Sequence, residues 1–207
     1  METSWPNWSQ LKSQGFQILH YLLEFAKNPL QRIRQIPEWS YVEIGLLTLI
    51  LTIPSGVLSG LVSRRFSAVV TGLILSPIVF AIVALIATLL FRQTIQFVFQ
   101  KTLPFRPLLA LFVLSNIPLL LIRIAIPLLP PIEVLGYVFT AILLTVGLVE
   151  NHHLPRQKTL KLVGAVFAIF FLAWIVNTVK VSREALRQHS VATPDSLEIL
   201  EKELGKN

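Results

Sequence analysis

Between Arg65 and Arg92 the chain runs for 26 residues, Phe66 to Phe91, without one charged side chain. About 20 apolar residues suffice to cross the hydrocarbon core of a bilayer as a helix. A water-soluble domain would have to hide this stretch in a very large core, and 207 residues do not provide one. The run therefore sets the solvent: the chain is expected to fold in lipid. Composition agrees, with 54% hydrophobic and only 14% charged residues, against about 25% charged in a typical soluble domain. The net charge of +7 reads as basic flanks against anionic headgroups, not as a nucleic-acid surface.

The same reasoning applied along the chain gives five spans. Span 1 covers Tyr41 to Val62, entered through Trp39 and Tyr41, aromatic residues of the kind that settle at headgroup level. Span 2 is Phe66 to Phe91. A connection from Arg92 to Arg106 mixes three basic residues with Ile95, Phe97, Val98, Phe99 and Phe105, a pattern expected of a short interfacial helix. Span 3 runs from Pro107 to Leu129 and carries Arg123, and Pro127, Pro130 and Pro131 force a tight turn into span 4, Ile132 to Val149. A polar loop from Glu150 to Lys161 leads to span 5, Leu162 to Val179, which holds 18 uncharged residues.

Before span 1, Trp8, Leu11, Phe16, Ile18, Leu19, Leu22, Leu23 and Ala26 recur at roughly helical spacing, with Lys12, Gln14, Gln17, Glu24 and Lys27 largely between them. This is an amphipathic helix too polar to span. It either lies on the membrane, with Trp5 and Trp8 at headgroup level, or packs on the spans. Asn28-Pro29 ends it, because a residue before proline is pushed out of the α region; a short helical piece, Leu30 to Ile36, follows. The start of the chain lacks the basic-then-apolar order of a cleaved signal peptide. At the far end, Thr193 and Pro194 would start a short helix with Leu197, Leu200 and Leu204 on one face. The organisation is thus a lead-in (1–40), a five-span membrane domain (41–179) and a polar tail (180–207). The fold class is all-α, a polytopic membrane helix bundle of five transmembrane helices with an N-terminal amphipathic helix.

Catalytic constellations are missing. The chain has no cysteine, which excludes thiol nucleophiles, disulfides and cysteine metal sites. No nucleophile elbow, phosphate loop or dinucleotide fingerprint occurs. His152 and His153 are adjacent, so on a helix they point about 100° apart, whereas zinc sites on helices want histidines four apart. A solvated loop is the expectation for them. No enzyme, cofactor or metal is expected.

The residues that stand out are structural or, alternatively, ligand-contacting. Pro54 lies mid-span, followed by Gly56 and Gly60, whose spacing permits close approach of a second helix. Pro54 should kink span 1, and with Pro77 and Pro118 in spans 2 and 3 it makes a set of mid-span prolines; broken helices can line a binding site. Arg123 would cost about 2.5–3.5 kcal/mol at the middle of a span, so it is expected to snorkel, to contact a substrate or to pair with Glu133. The expected partners are the lipid bilayer and other membrane proteins or further copies of the chain.

Two stretches carry a resemblance. Residues 28–50, NPLQRIRQIPEWSYVEIGLLTLI, are similar to the entry into the first span of bacterial members of the Yip-one family, the Ypt/Rab-interacting membrane proteins. Residues 105–121 together with 146–169, including Gly147, Leu148, His152 or His153, and Lys158 or Lys161, resemble the later half of that domain. The resemblance implies five membrane helices with a cytoplasmic N-terminus. It does not extend to the Asp-Leu-x-Gly-Pro and Gly-Tyr-Ser motifs of eukaryotic members, so GTPase binding is not implied. The balance of basic residues agrees on orientation: Lys12, Lys27, Arg32, Arg34, Arg92, Lys101, Arg106, Arg156, Lys158 and Lys161 fall on the N-terminal side, against Arg64 and Arg65, then Lys180, Arg183 and Arg187 near the last span, on the other. The expected location is a bacterial plasma membrane. The expected role is a non-enzymatic scaffold or adaptor, the alternative a small transporter or channel near the prolines and Arg123.

Overall fold

The computed structural model describes residues 8–64, 66–126 and 128–190. Trp5 and the expected helix after Thr193 lie outside them. All regular structure among the described residues is helical, and five helical segments are long and apolar enough to cross a membrane. The chain divides into two compact units, up to Gly164 and from Ala165 onward.

Helix α1, Trp8–Lys27, stops where Asn28-Pro29 requires. Asn28 takes φ −141°, ψ 70°, outside the helical region, and Pro29 opens a four-residue helix, α2, Pro29–Arg32. The expected piece out to Ile36 is shorter because the chain turns at Ile33, whose side chain is fully buried. Ser40 then caps α3, Tyr41–Val62. The Ser40 Oγ accepts from the Glu43 amide at 3.3 Å, and a Glu43 carboxylate oxygen accepts from the Ser40 amide at 2.7 Å. This reciprocal pair satisfies two donors that would otherwise be stranded at the helix start.

Helix α4, Phe66–Phe99, returns along α3 and is 34 residues long. At 1.5 Å per residue that is ~51 Å, well beyond a ~30 Å hydrocarbon core. The separate interfacial helix expected after Arg92 is therefore the last part of α4. From Ile78 to Gln100 there is neither glycine nor proline, so nothing breaks the backbone where charge first returns. Ile95 is completely buried in this extension.

The third span is central and broken. Helix α5, Phe105–Ser115, buries Leu108, Leu109, Leu111, Val113 and Leu114. Asn116 separates it from α6, Ile117–Ile122. Pro118 has no amide to donate to Leu114, and the helix parts just before it. The span ends at Ile122, not at Leu129 as expected; residues 123–126 turn, with Ile124 donating to the Leu121 carbonyl and Ala125 to Ile122. A 3₁₀ turn, Pro130–Ile132, leads into α7, Glu133–His152.

The expected polar loop from Glu150 to Lys161 shrinks to three residues. Glu150 to His152 complete α7, His153 ends it with φ 51°, and α8, Arg156–Ser190, begins after Pro155. Polarity marks the end of the uncharged run here, not the end of the helix. Thr159 anchors the start of α8 by donating from amide and hydroxyl to the Pro155 carbonyl, at 3.0 and 3.1 Å. In the second unit, Phe171 and Trp174 of α8 stack with ring centroids 6.0 Å apart.

Large apolar side chains cover the outside of the bundle. On α4 alone, Ile74, Leu75, Ile78, Ile82, Ile86 and Leu90 are each more than half exposed. A surface of that kind is stable against acyl chains and not against water.

Candidate functional site

Three places in the bundle stand out, and the residues singled out by sequence fall in or near the first two. Gly56 and Gly60 face α4, where a methyl on Gly56 would lie 2.5 Å from the Gly72 carbonyl oxygen and one on Gly60 would lie 2.6 Å from the Val69 amide nitrogen. The two backbones touch, which only glycine permits. Beside them Ser55 donates to the Leu120 carbonyl of α6 at 2.5 Å. Pro54 is exposed, and α3 passes through it unbroken.

Pro77 lines a second place, an apolar cleft of about 430 Å³ between α3, α4 and α5, with Ile44, Thr48, Ala81, Ala84 and Leu109. Pro54 and Pro118 do not line it. Arg123, just past α6, reaches back to α4 and donates from Nη1 to Ser76 Oγ at 2.9 Å. Glu133 accepts from the Tyr137 hydroxyl at 2.8 Å. Ser76 carries no signal in the sequence that would mark it as the partner of an arginine.

The third place is at the N-terminal end of the bundle, and sequence reading missed it. Four chain segments converge there: the connector after α2, the start of α5, the end of α7 and the residues after α4. Asn151 binds the connector to α7. Its Nδ2 donates to the Ile33 carbonyl at 2.7 Å and to Gly147 at 3.0 Å, while its Oδ1 accepts from the Ile36 amide at 3.1 Å. Lys101 donates from Nζ to the His152 carbonyl at 2.7 Å. His152 is therefore not in a solvated loop, as expected, but buried with 8% of its surface exposed. These segments enclose a cavity of about 240 Å³, whose walls include Pro37, Trp39, Arg106, Pro107, Asn151 and His152. No group of three metal-ligating side chains occurs among the described residues.

Helix α1 packs on this same end. Ile18, Tyr21 and Phe25 are buried, and Tyr21 meets Trp39 edge-on with centroids 5.0 Å apart. The Tyr21 hydroxyl donates to the Arg32 carbonyl at 3.1 Å. Burial pushes its pKa up to about 12, with Arg32 opposing. Glu24 pairs with Arg32, and His20 lies 3.3 Å from the same carboxylate. The opposite side of α1 is also apolar. At 100° per residue, Lys12, Phe16, Leu19, Leu23 and Lys27 share one stripe; Phe16 is 64% exposed, Leu19 47% and Leu23 59%.

Set against known families, residues 24–177 match the Yip1 domain. The chain belongs to the Yip1 domain family. The match takes in all of α2 to α7 and most of the fifth span, and it does not distinguish bacterial members from others. No curated protein and no solved structure matches the chain. The protein is thus a multi-pass integral membrane protein of the Yip1 type, in contact with lipid along its spans.

Proposed function

We propose that this Yip1-domain protein is a non-enzymatic membrane scaffold or adaptor that holds a rigid bundle together by close helix packing and offers α1 to a membrane-protein partner, a second copy or the lipid surface. The observation that carries this reading is the two-faced α1. One face is spent on the bundle through Ile18, Tyr21 and Phe25, and the other leaves Phe16, Leu19 and Leu23 uncovered between Lys12 and Lys27. An isolated helix facing water gains nothing from that second stripe. Basic residues gathered at the N-terminal end support a cytoplasmic N-terminus; the proposed location is a plasma membrane.

Purification in mild detergent followed by crosslinking and mass spectrometry tests the reading. Wild type is expected to retain a partner, a second copy or lipid through α1, and Phe16→Gln with Leu23→Gln is expected to release it. Recovery of a bare monomer from wild type would overturn it. The apolar cleft at Pro77 favours one other reading, a small transporter or channel. Solute flux in liposomes that is lost in Arg123→Leu would support that reading; absence of flux for every solute class ends it.

A further inference from the structure

We propose that the cavity at the N-terminal end of the bundle, where Arg106 and the start of α5 face His152 and Asn151 of α7, binds a phosphate anion, supplied by the headgroup of an anionic phospholipid or by free phosphate. Arg106 lines the cavity and is half-buried, and no ion pair or hydrogen bond engages its guanidinium among the described residues. A planar guanidinium fits two phosphate oxygens at once. His152 also lines the cavity, and its Nε2 is buried without a hydrogen-bond partner. A buried polar atom left unpaired costs about 1–3 kcal/mol, a cost that a bound ligand removes.

Two further features set the sign of the charge. Helix α5 starts at the cavity with Pro104 as its N-cap, so no side chain caps its first amides. Pro104 and Pro107 carry no N–H, so the free amides here are those of Phe105 and Arg106; with the positive end of the helix dipole they favour an anion. Lys101, exposed and outside the cavity wall but held 2.7 Å from the His152 carbonyl, adds a second cation at the same end, weakened by solvent. Glu38 also lines the cavity and opposes an anion, but it is exposed, and solvent and salt weaken its field.

Size narrows the ligand. About 240 Å³ is below the ~300–1,000 Å³ of sites that enclose drug-sized molecules. The space suits a phosphate with a few attached carbons and no acyl chain. Trp39, Pro37 and Pro107 supply an apolar rim, and Trp39 precedes the first span, at the depth where headgroups lie. A lipid would leave its phosphate in the cavity and its chains outside it.

The test uses the full-length protein in nanodiscs. In the first arm the discs hold phosphatidylcholine with or without phosphatidic acid, and retained lipid is counted by native mass spectrometry. In the second arm, inorganic phosphate is titrated onto protein in phosphatidylcholine discs and the melting temperature is followed. Preferential retention of phosphatidic acid by wild type, falling about tenfold in Arg106→Gln, is expected for a headgroup site; one lost charge-assisted hydrogen bond has that size. A phosphate-dependent rise in melting temperature, absent in Arg106→Gln, assigns the site to the free anion. Arg106→Lys keeps the charge without the fork and is expected to fall between the two. Histidine-labelled wild type provides a reading that needs no variant at position 106: the His152 ring resonances must move with the bound species, and His152→Gln identifies them. Equal retention in all variants, or His152 resonances unmoved by both probes, would overturn the proposal.

Discussion

Gly56 and Gly72 meet backbone to backbone, so that the place of a side chain on either one is already filled by the main chain of the other. The contact fixes how α3 and α4 cross. Gly56→Ala and Gly72→Ala are each expected to destabilise the protein by about 1–3 kcal/mol, the usual range for overpacking. Gly45, on the same helix, has open space around the position of a Cβ, and Gly45→Ala is expected to be neutral or slightly stabilising, since alanine is favoured over glycine in helices by up to ~1 kcal/mol. Thermal unfolding in detergent of all three variants checks this. Equal effects at positions 45, 56 and 72 would remove the crossing from the account.

How much of this was visible beforehand depends on which force set each feature. The first span was legible to the residue, Tyr41–Val62, because loss of charge and an aromatic entry coincide there with the point where Ser40 and Glu43 cap the helix. Gly72 was not, because one glycine in an apolar run says nothing about which backbone will lie against it. Arg92 and Glu150 misled in the same manner. Each ends an uncharged run, yet α4 and α7 continue past them, since a helix ends at proline, at a left-handed residue or at a cap and not at a charge. The cavity was invisible because its walls come from residues more than 100 positions apart, such as Ile36 and Asn151. Polar letters at 150–153 looked like solvent exposure, whereas Asn151 spends its amide on the backbone of a distant connector.

That connector gives the next prediction. Ile33 and Ile36 present a carbonyl and an amide to one side chain, Asn151. Asn151→Leu keeps the number and branching of the side-chain heavy atoms and removes the hydrogen bonds to both groups, leaving two half-buried backbone groups unpaired. A loss of about 1–3 kcal/mol is expected. Hydrogen exchange at the Ile36 amide is expected to speed up by more than tenfold, while exchange in the middle of α3 stays unchanged. Unaltered protection at Ile36 would mean that the hydrogen bond does not hold the connector.

Tyr21 predicts a dependence on alkaline pH. Its phenol is held neutral by burial, with a pKa near 12 in the folded state against an ordinary value of 10.0. A group whose pKa is raised by folding contributes fully below its unfolded pKa, and the contribution is lost as pH rises through the folded one. The packing of α1 is therefore expected to be insensitive to this residue below pH 10 and to weaken between about pH 10 and 12. The chain has three tyrosines. The difference in tyrosinate absorbance between wild type and Tyr21→Phe isolates this one, and its midpoint is expected near 12. A midpoint at the ordinary value would show that α1 leaves Tyr21 open to water.

Arg123 and Ser76 give the last. The arginine sits at the C-terminal end of α6, where the negative end of the helix dipole favours a cation, and its Nη1 donates to Ser76 Oγ on α4. Two effects are thus combined in one side chain, and a double-mutant cycle separates them. Ser76→Ala removes only the hydrogen bond, expected to cost about 1.5–3 kcal/mol because the donor is charged. Arg123→Gln removes the dipole interaction as well and is expected to cost more. After Arg123→Gln, Ser76→Ala is expected to be nearly silent, so that the coupling energy approaches the whole effect of the serine substitution. Unfolding free energies of the four proteins in one detergent measure it. Additive losses would place the stabilisation by Arg123 entirely at the helix end and leave Ser76 a bystander.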